Sequence, residues 1–198
     1  MNEFKKSIFI FDDQIGRVEY VDHMGTDLTI VNSARVSFGV QKHELSPRDI
    51  KLVKYLIEHK HTSTLEHCSI TFKFTVPLYI RSQHMRHRTW SYNEISRRYT
   101  DKDYQFYTPK EFRTQHESNR QASNPDILID PPVYNKQRMG LIPQTFPKAS
   151  ELYLRHCEKS LSIFKDLISS GVCREQARGV LPQTTYTEYY GTVNLNNL

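Results

Sequence analysis

The stretch Cys68–Val76, CSITFKFTV, sets the tightest limit on what this chain can fold into. Ile70, Phe72, Phe74 and Val76 alternate with Ser69, Thr71, Lys73 and Thr75, and a two-residue period puts the four apolar side chains on one side of an extended strand. A strand with one apolar and one wet face belongs in an antiparallel sheet resting on a core. SIFIF and VEYV upstream predict two further short strands. Helical signals surround them. In TDLTIVNSARVSF, Thr26 or Asp27 can cap a helix whose apolar face runs through Leu28, Val31, Ala34 and Phe38. Ser46, Pro47 and Asp49 form a capping-box pattern opening a second helix, with Ile50, Val53, Leu56 and Ile57 as its expected buried stripe. Pro77 closes the alternating strand, and LYIRSQHMRHR predicts a helix from Leu78 to Arg88.

From Thr100 to Pro147 the periodicity fades, and Pro109, Pro125, Pro131, Pro132, Pro143 and Pro147 punctuate the chain. A long structureless stretch is uncommon inside a compact domain, so this one is expected to be a mobile or functional excursion, or to pack against another subunit. Helical pattern returns in KASELYLRHCEKSLSIFKDLISSG, where Leu152, Tyr153, Cys157, Leu161, Phe164 and Ile168 share a face and Gly171 terminates it. A shorter helix is expected over Cys173–Leu181, stopped by Pro182. The expected fold is one α+β domain over residues 1–198: an antiparallel sheet packed with helices, a helical extension, and a Pro-rich excursion at about 100–147.

Composition narrows the class. The 198 residues include 12 Tyr and 10 Phe, too much aromatic surface for a disordered chain. No apolar run reaches the ~20 residues of a membrane helix, and Asp12 and Asp13 interrupt the start too early for a secretory signal. Cys68, Cys157 and Cys173 are odd in number and dispersed, which argues against a disulfide framework and for a cytoplasmic setting. A net charge of +5 favours anionic partners without choosing among them.

The chemistry concentrates in RSQHMRHRTWSYNEISRRY, Arg81–Tyr99. Arg81, Arg86, Arg88, Arg97 and Arg98 occur with no Lys, and Glu94 is the only acid. A solvated surface helix would carry more Glu and Lys. Repeated Arg suits planar, bidentate recognition of phosphate or a heterocycle edge, and Ser82, Gln83, Ser91, Asn93 and Ser96 supply orienting hydroxyls and amides.

Arg86-His87-Arg88, seven residues and then Ser96, resembles the signature of the flavin-dependent thymidylate synthases, and Arg98-Tyr99 continues the match. Weaker resemblances stand in the family's order: ARVSF at Ala34–Phe38, HTSTLEH at His61–His67, GVCREQARGVLP at Gly171–Pro182, and the final TEYYGTVNLNNL. The resemblance implies methylation of dUMP to dTMP, with methylenetetrahydrofolate as carbon donor and FAD, reduced by NADPH, as hydride source. It implies that Ser63, Arg86, His87, Arg88, Glu94 and Asn194 hold the flavin, with His61 beside its ring. Gln83, Arg86, Glu94, Ser96, Arg97, Arg98 and Arg178 would surround dUMP, in sites shared between subunits of a homotetramer, with no membrane and no nucleic acid as partner. The family's candidate catalytic Arg has its place beyond Leu198, and Asn196 stands where the family commonly has Arg, so no catalytic residue is assigned.

Other readings remain beside this one. A catalytically impaired, truncated relative that binds nucleotide or nucleic acid has the same basic segment, and Tyr99, Tyr104, Phe106 and Tyr107 add aromatics that single strands can stack on. Packing is the plainer use of those rings. His59, His61, His67 and Cys68 lack the paired spacing of a metal site, so no metal is expected. No glycine-rich phosphate loop is present. Ser96 has no His or Asp at nucleophile-elbow spacing and reads as a hydrogen-bond donor.

Overall fold

The computed structural model of the chain describes residues 6–96, 104–133 and 146–198. Its contacts divide into two units, one of residues 1–95 with 186–198 and one of residues 96–185.

The first unit is built on a five-stranded antiparallel sheet. In chain order it contains β1 (Ser7–Phe9), β2 (Arg17–Met24), α1 (Asp27–Arg35), α2 (Pro47–Glu58), β3 (Ser69–Pro77), α3 (Leu78–His84), β4 (Ser91–Glu94) and the late strand β7 (Tyr186–Asn194). The strands lie in the order β1-β2-β3-β7-β4. β3 is the alternating segment, and it pairs with β7 over nine residues, from Ser69 opposite Asn194 to Pro77 opposite Tyr186. Directly opposed residues share a face. Phe72, Phe74 and Val76 therefore stand with Gly191, Tyr189 and Thr187 on one side, while Lys73 and Thr75 stand with Tyr190 and Glu188 on the other. The second side carries the polar partners: Glu188 accepts from buried Thr75 at 3.3 Å and pairs with Lys73 at 3.2 Å.

β7 carries no clean alternation in sequence. Thr187, Tyr189 and Val193 are all buried, so a polar hydroxyl sits where the pattern would ask for an aliphatic group. A Cβ at Gly191 would lie 3.0 Å from Phe74 and 3.1 Å from Trp90, so a larger residue there would press on both rings.

A smaller core lies under α1 and α2, where Ile30, Leu56 and Cys68 are buried among Ala34, Leu52, Val53 and Leu65. Both caps form as the sequence suggests, Thr26 before α1 and Ser46 with Asp49 at α2. The expected stripe of α1 holds at Leu28, Val31 and Ala34, and that of α2 is rotated. In α2 the inward set is Asp49, Leu52, Val53 and Leu56, and Ile50 and Ile57 are more than half exposed. In α1 Ile30 and Val31 are buried, and Phe38, beyond the helix end, is 81% exposed. Asp49 explains the rotation of α2. Fully buried, it accepts from Arg35 at 2.6 Å, Lys42 at 2.8 Å and Ser46 Oγ at 2.6 Å. The Lys42 ammonium and the Ser46 donors, with Arg35, hold its carboxyl well below the usual carboxylate range against the opposing effect of burial.

The second unit contains a two-stranded hairpin of β5 (Phe112–Gln115) and β6 (Ser123–Ile129), then α4 (Ala149–Ser169) and α5 (Arg174–Ala177). The hairpin gives ordered structure to part of the Pro-rich stretch, where the sequence shows little periodicity. Pro125 lies within β6, where a two-stranded ladder leaves an edge that tolerates a missing N–H. α4 buries Cys157, Ser160 and Phe164, and Gly171 at φ +88° takes the left-handed turn after it. The last expected helix is shorter: α5 ends at Ala177, and a 3-10 turn runs over Arg178–Val180. No described helix is long and apolar enough to cross a membrane.

Candidate functional site

The basic segment does not continue as a helix. α3 stops at His84, and the chain then turns through residues 85–90, closed by His87 N to His84 O at 3.0 Å and Trp90 N to His87 O at 3.3 Å, before entering β4. The expected helix to Arg88 thus ends four residues early. Arg86, His87 and Arg88 are exposed on this turn.

Sheet register places the turn. Ser91 opposes Thr192, so the residues preceding β4 lie toward the Asn194 end of β7. The same end receives the 3-10 segment Thr62–His67, because Ser69 opposes Asn194. Exposed His61 and Ser63 precede or lie within that segment, and Leu195 N donates to Cys68 O at 3.0 Å. His61, Ser63, the Arg86–Arg88 turn and Asn194, far apart in sequence, thus share one end of one sheet. Tyr55 stacks on His59 with ring centroids 3.9 Å apart, and lies 6.1 Å from His61.

Glu94 is farther along β4, opposite Tyr189. Its carboxylate is engaged within the fold: Arg81 donates to one oxygen, and Thr187 Oγ1 to the other at 2.7 Å. The lone acid of the basic run therefore neutralises an arginine of its own segment. Gln83 is exposed on α3. Ser96, half-buried, and Arg178, exposed on its 3-10 turn, belong to the second unit. Arg97 and Arg98 lie outside the described residues.

Beneath the turn lies an aromatic cluster. His84 is surrounded by Phe74 at 4.9 Å, Trp90 at 4.6 Å and Tyr92 at 5.3 Å between ring centroids, and its Nδ1 lies 2.8 Å from the Tyr189 hydroxyl. Burial pushes the Tyr189 hydroxyl far above the usual tyrosine range, and burial with the neighbouring His87 pushes His84 down. Sequence reasoning missed Arg81, Tyr92, Thr187 and Tyr189 in these supporting places. Only the isolation of Glu94 in a cationic run pointed to an internal partner. Glu66 was missed as well; Asn196 Nδ2 donates to its carboxylate at 3.2 Å, which ties the end of β7 to the Thr62–His67 segment.

The three cysteines are free, Cys68 and Cys157 buried and Cys173 exposed. Among the described residues, no three His, Cys, Asp or Glu side chains gather as a metal ion would require.

An exposed Arg-His-Arg turn offers directed cationic donors to a pyrophosphate, and a hydroxyl and an amide lie at the same sheet end, a donor set that fits a flavin dinucleotide. The family model described as thymidylate synthase complementing protein matches residues 19–198. The flavin-dependent thymidylate synthase of Kosmotoga olearia is 38% identical over 184 residues, covering 92% of this chain and 73% of that protein. That of Thermus thermophilus is 37% identical over 183 residues, covering 92% of this chain and 61% of its own length. Among solved structures, the UMP/dUMP methylase PolB from Streptomyces cacaoi, bound with 5-Br dUMP, superposes with a TM-score of 0.69 at 30% identity, covering 89% of this chain and 72% of that one. The chain belongs to the flavin-dependent thymidylate synthase family.

Proposed function

We propose that this protein methylates dUMP to dTMP in the cytoplasm, with methylenetetrahydrofolate as carbon donor and NADPH as the source of electrons, and that residues 1–198 act as one such domain within a homotetramer. The observation that carries the reading is the exposed Arg86-His87-Arg88 turn at the sheet end that also holds His61, Ser63 and Asn194. FAD, when bound, supplies the hydride that no side chain can provide. Arg86, His87 and Arg88 would hold it, with Ser63, Asn194 and Glu94 completing its site and His61 beside its ring. Gln83, Arg86, Glu94, Ser96, Arg97, Arg98 and Arg178 orient the nucleotide, and their guanidiniums balance the charge of its phosphate. Ser96 donates a hydrogen bond and forms no bond to the substrate.

The test is direct. Purified protein, titrated with FAD, gives a flavin spectrum that dUMP perturbs, and forms dTMP when methylenetetrahydrofolate and NADPH are added. Arg86→Lys keeps charge but loses the planar fork, and weakens FAD or dUMP by about tenfold, the equivalent of ~1.4 kcal/mol. A chain that binds neither ligand, yet binds oligonucleotides with steep salt dependence, would overturn the reading in favour of a non-catalytic nucleic-acid binder.

A further inference from the structure

The turn carrying Arg86, His87 and Arg88 is tied down from beneath by two hydroxyls. Tyr92, on β4, reaches back so that its hydroxyl lies 2.8 Å from His84 O and 3.2 Å from His87 O. These are the first and last carbonyls of the stretch that presents Arg86, and they also accept His87 N and Trp90 N. One hydroxyl proton shared between two carbonyls three residues apart fixes the spacing of the turn. Tyr189 acts on the side chain. It is 2% exposed, stacks on Phe74 at 5.0 Å, and its hydroxyl meets His84 Nδ1 at 2.8 Å. Tyr189, which holds its proton, can donate it to Nδ1, and His84, which resists gaining a second, then carries its own on Nε2. His84 is thus gripped by its carbonyl from one strand and by its ring from another.

We propose that Tyr92 and Tyr189 are positioning residues which, through His84, preset the Arg86–Arg88 turn for a pyrophosphate-bearing ligand. The ligand half of this inference rests on the function proposed above. A turn ordered in advance spares the ligand the entropy of ordering it. It also keeps the donors of Arg86 and Arg88 outward, because the grip uses none of them.

Tyr92→Phe and Tyr189→Phe remove only hydroxyls and keep the rings. Three measurements test them: amide exchange across Met85–Trp90, FAD affinity by flavin fluorescence, and the pH dependence of Trp90 fluorescence. Trp90 is the sole tryptophan and adjoins His84, so it senses charge on that imidazole. The titratable and charged groups facing this centre are Tyr189, Tyr92 and His87, with the Arg81–Glu94 pair beside Tyr189. For Tyr92→Phe, exchange at Met85–Trp90 accelerates about tenfold with α4 unaffected, and the FAD Kd rises about tenfold, the scale of one lost hydrogen bond. Turnover at saturating FAD and dUMP stays within about twofold, since only the readiness of the turn has changed. For Tyr189→Phe the Trp90 titration midpoint moves upward, because neutral His84 has lost its donor. Unchanged exchange together with an unchanged midpoint overturns the grip. Faster exchange with unchanged FAD affinity, in a protein that binds FAD, overturns the positioning role. A wild-type chain that binds neither FAD nor dUMP overturns the functional reading and the ligand half of this proposal, while the exchange rates and the Trp90 midpoint still decide the grip.

Discussion

Two segments of the first unit lie outside its helices and strands and are held in opposite ways. The loop after α1 is held by ions: Lys42 and Arg35 converge on buried Asp49, and Asn32 exchanges two hydrogen bonds with the Lys42 backbone at 2.8 and 2.9 Å. The turn after α3 is held by neutral hydroxyls from Tyr92 and Tyr189. Both cations, Arg35 and Lys42, are engaged in the first case. In the second, none of Arg86, His87 and Arg88 is in an ion pair among the described residues. A turn meant to meet an anion must be fixed without spending its cations, and tyrosine hydroxyls do that where carboxylates would not.

The contrast can be broken at its strongest point first. Asp49→Asn leaves two cations facing a neutral amide whose single oxygen must serve the four donors that two oxygens served, so it should lower the thermal midpoint more than either Gly191→Ala or Asn32→Ala. A change no larger than that of a surface substitution would remove the ionic grip from the comparison. Gly191→Ala tests the aromatic side. Its Cβ would press on Phe74 and Trp90, and the overpacking should cost ~1–3 kcal/mol by urea unfolding. A neutral effect would mean that the cluster under the turn is loosely packed. Asn32→Ala loses both bonds to Lys42 and should cost about 1–2 kcal/mol, less than Asp49→Asn, with amide exchange rising at Lys42 alone.

The smallest effect separates the two devices by pH. His84 has a folded-state pKa below its ordinary ~6.5, so its contribution is complete above that value and is lost as pH falls beneath it. Asp49, also depressed, contributes fully above the ordinary carboxylate value of ~4 and loses its contribution only as pH falls further. Urea midpoints should therefore decline modestly between pH 7 and 5 in the wild type, less so in His84→Gln, and decline again below pH 4, less steeply when Asp49 is replaced, because Asp130, held down by Ser150, also titrates there. A His84→Gln profile that tracks the wild type across pH 7 to 5 would remove His84 from the first step.

Legibility in the sequence followed locality. The caps at Thr26 and Ser46 and the strand at Cys68–Val76 depend on neighbours within a few residues, and all formed. The face of α2 could not be read, because Asp49 is pulled inward by Lys42 and Arg35 from outside the helix. β7 was hidden for a related reason: its buried Thr187 and Tyr189 are polar residue types satisfied by Glu94 and His84, which lie about a hundred residues earlier in the chain. The candidate site divides the same way. Its signature residues were visible by spacing, while Arg81, Tyr92 and Tyr189, which hold Glu94 and His84, carry no motif and emerge only from the register of β4 and β7.

That register has a consequence for the order in which the molecule is made. β7 lies between β3 and β4, yet the whole of residues 96–185 is synthesised before it. On the ribosome β1, β2 and β3 can pair early, while β3 presents an unmated edge and β4 waits without a neighbour. Such an edge is a template for wrong partners until its strand arrives. The nine-residue β3–β7 ladder joins segments more than a hundred residues apart, so closing the sheet is a late, slow, long-range event. Nascent chains stalled before Tyr186 should be captured by chaperones, and those released past Asn194 should be the first to resist protease.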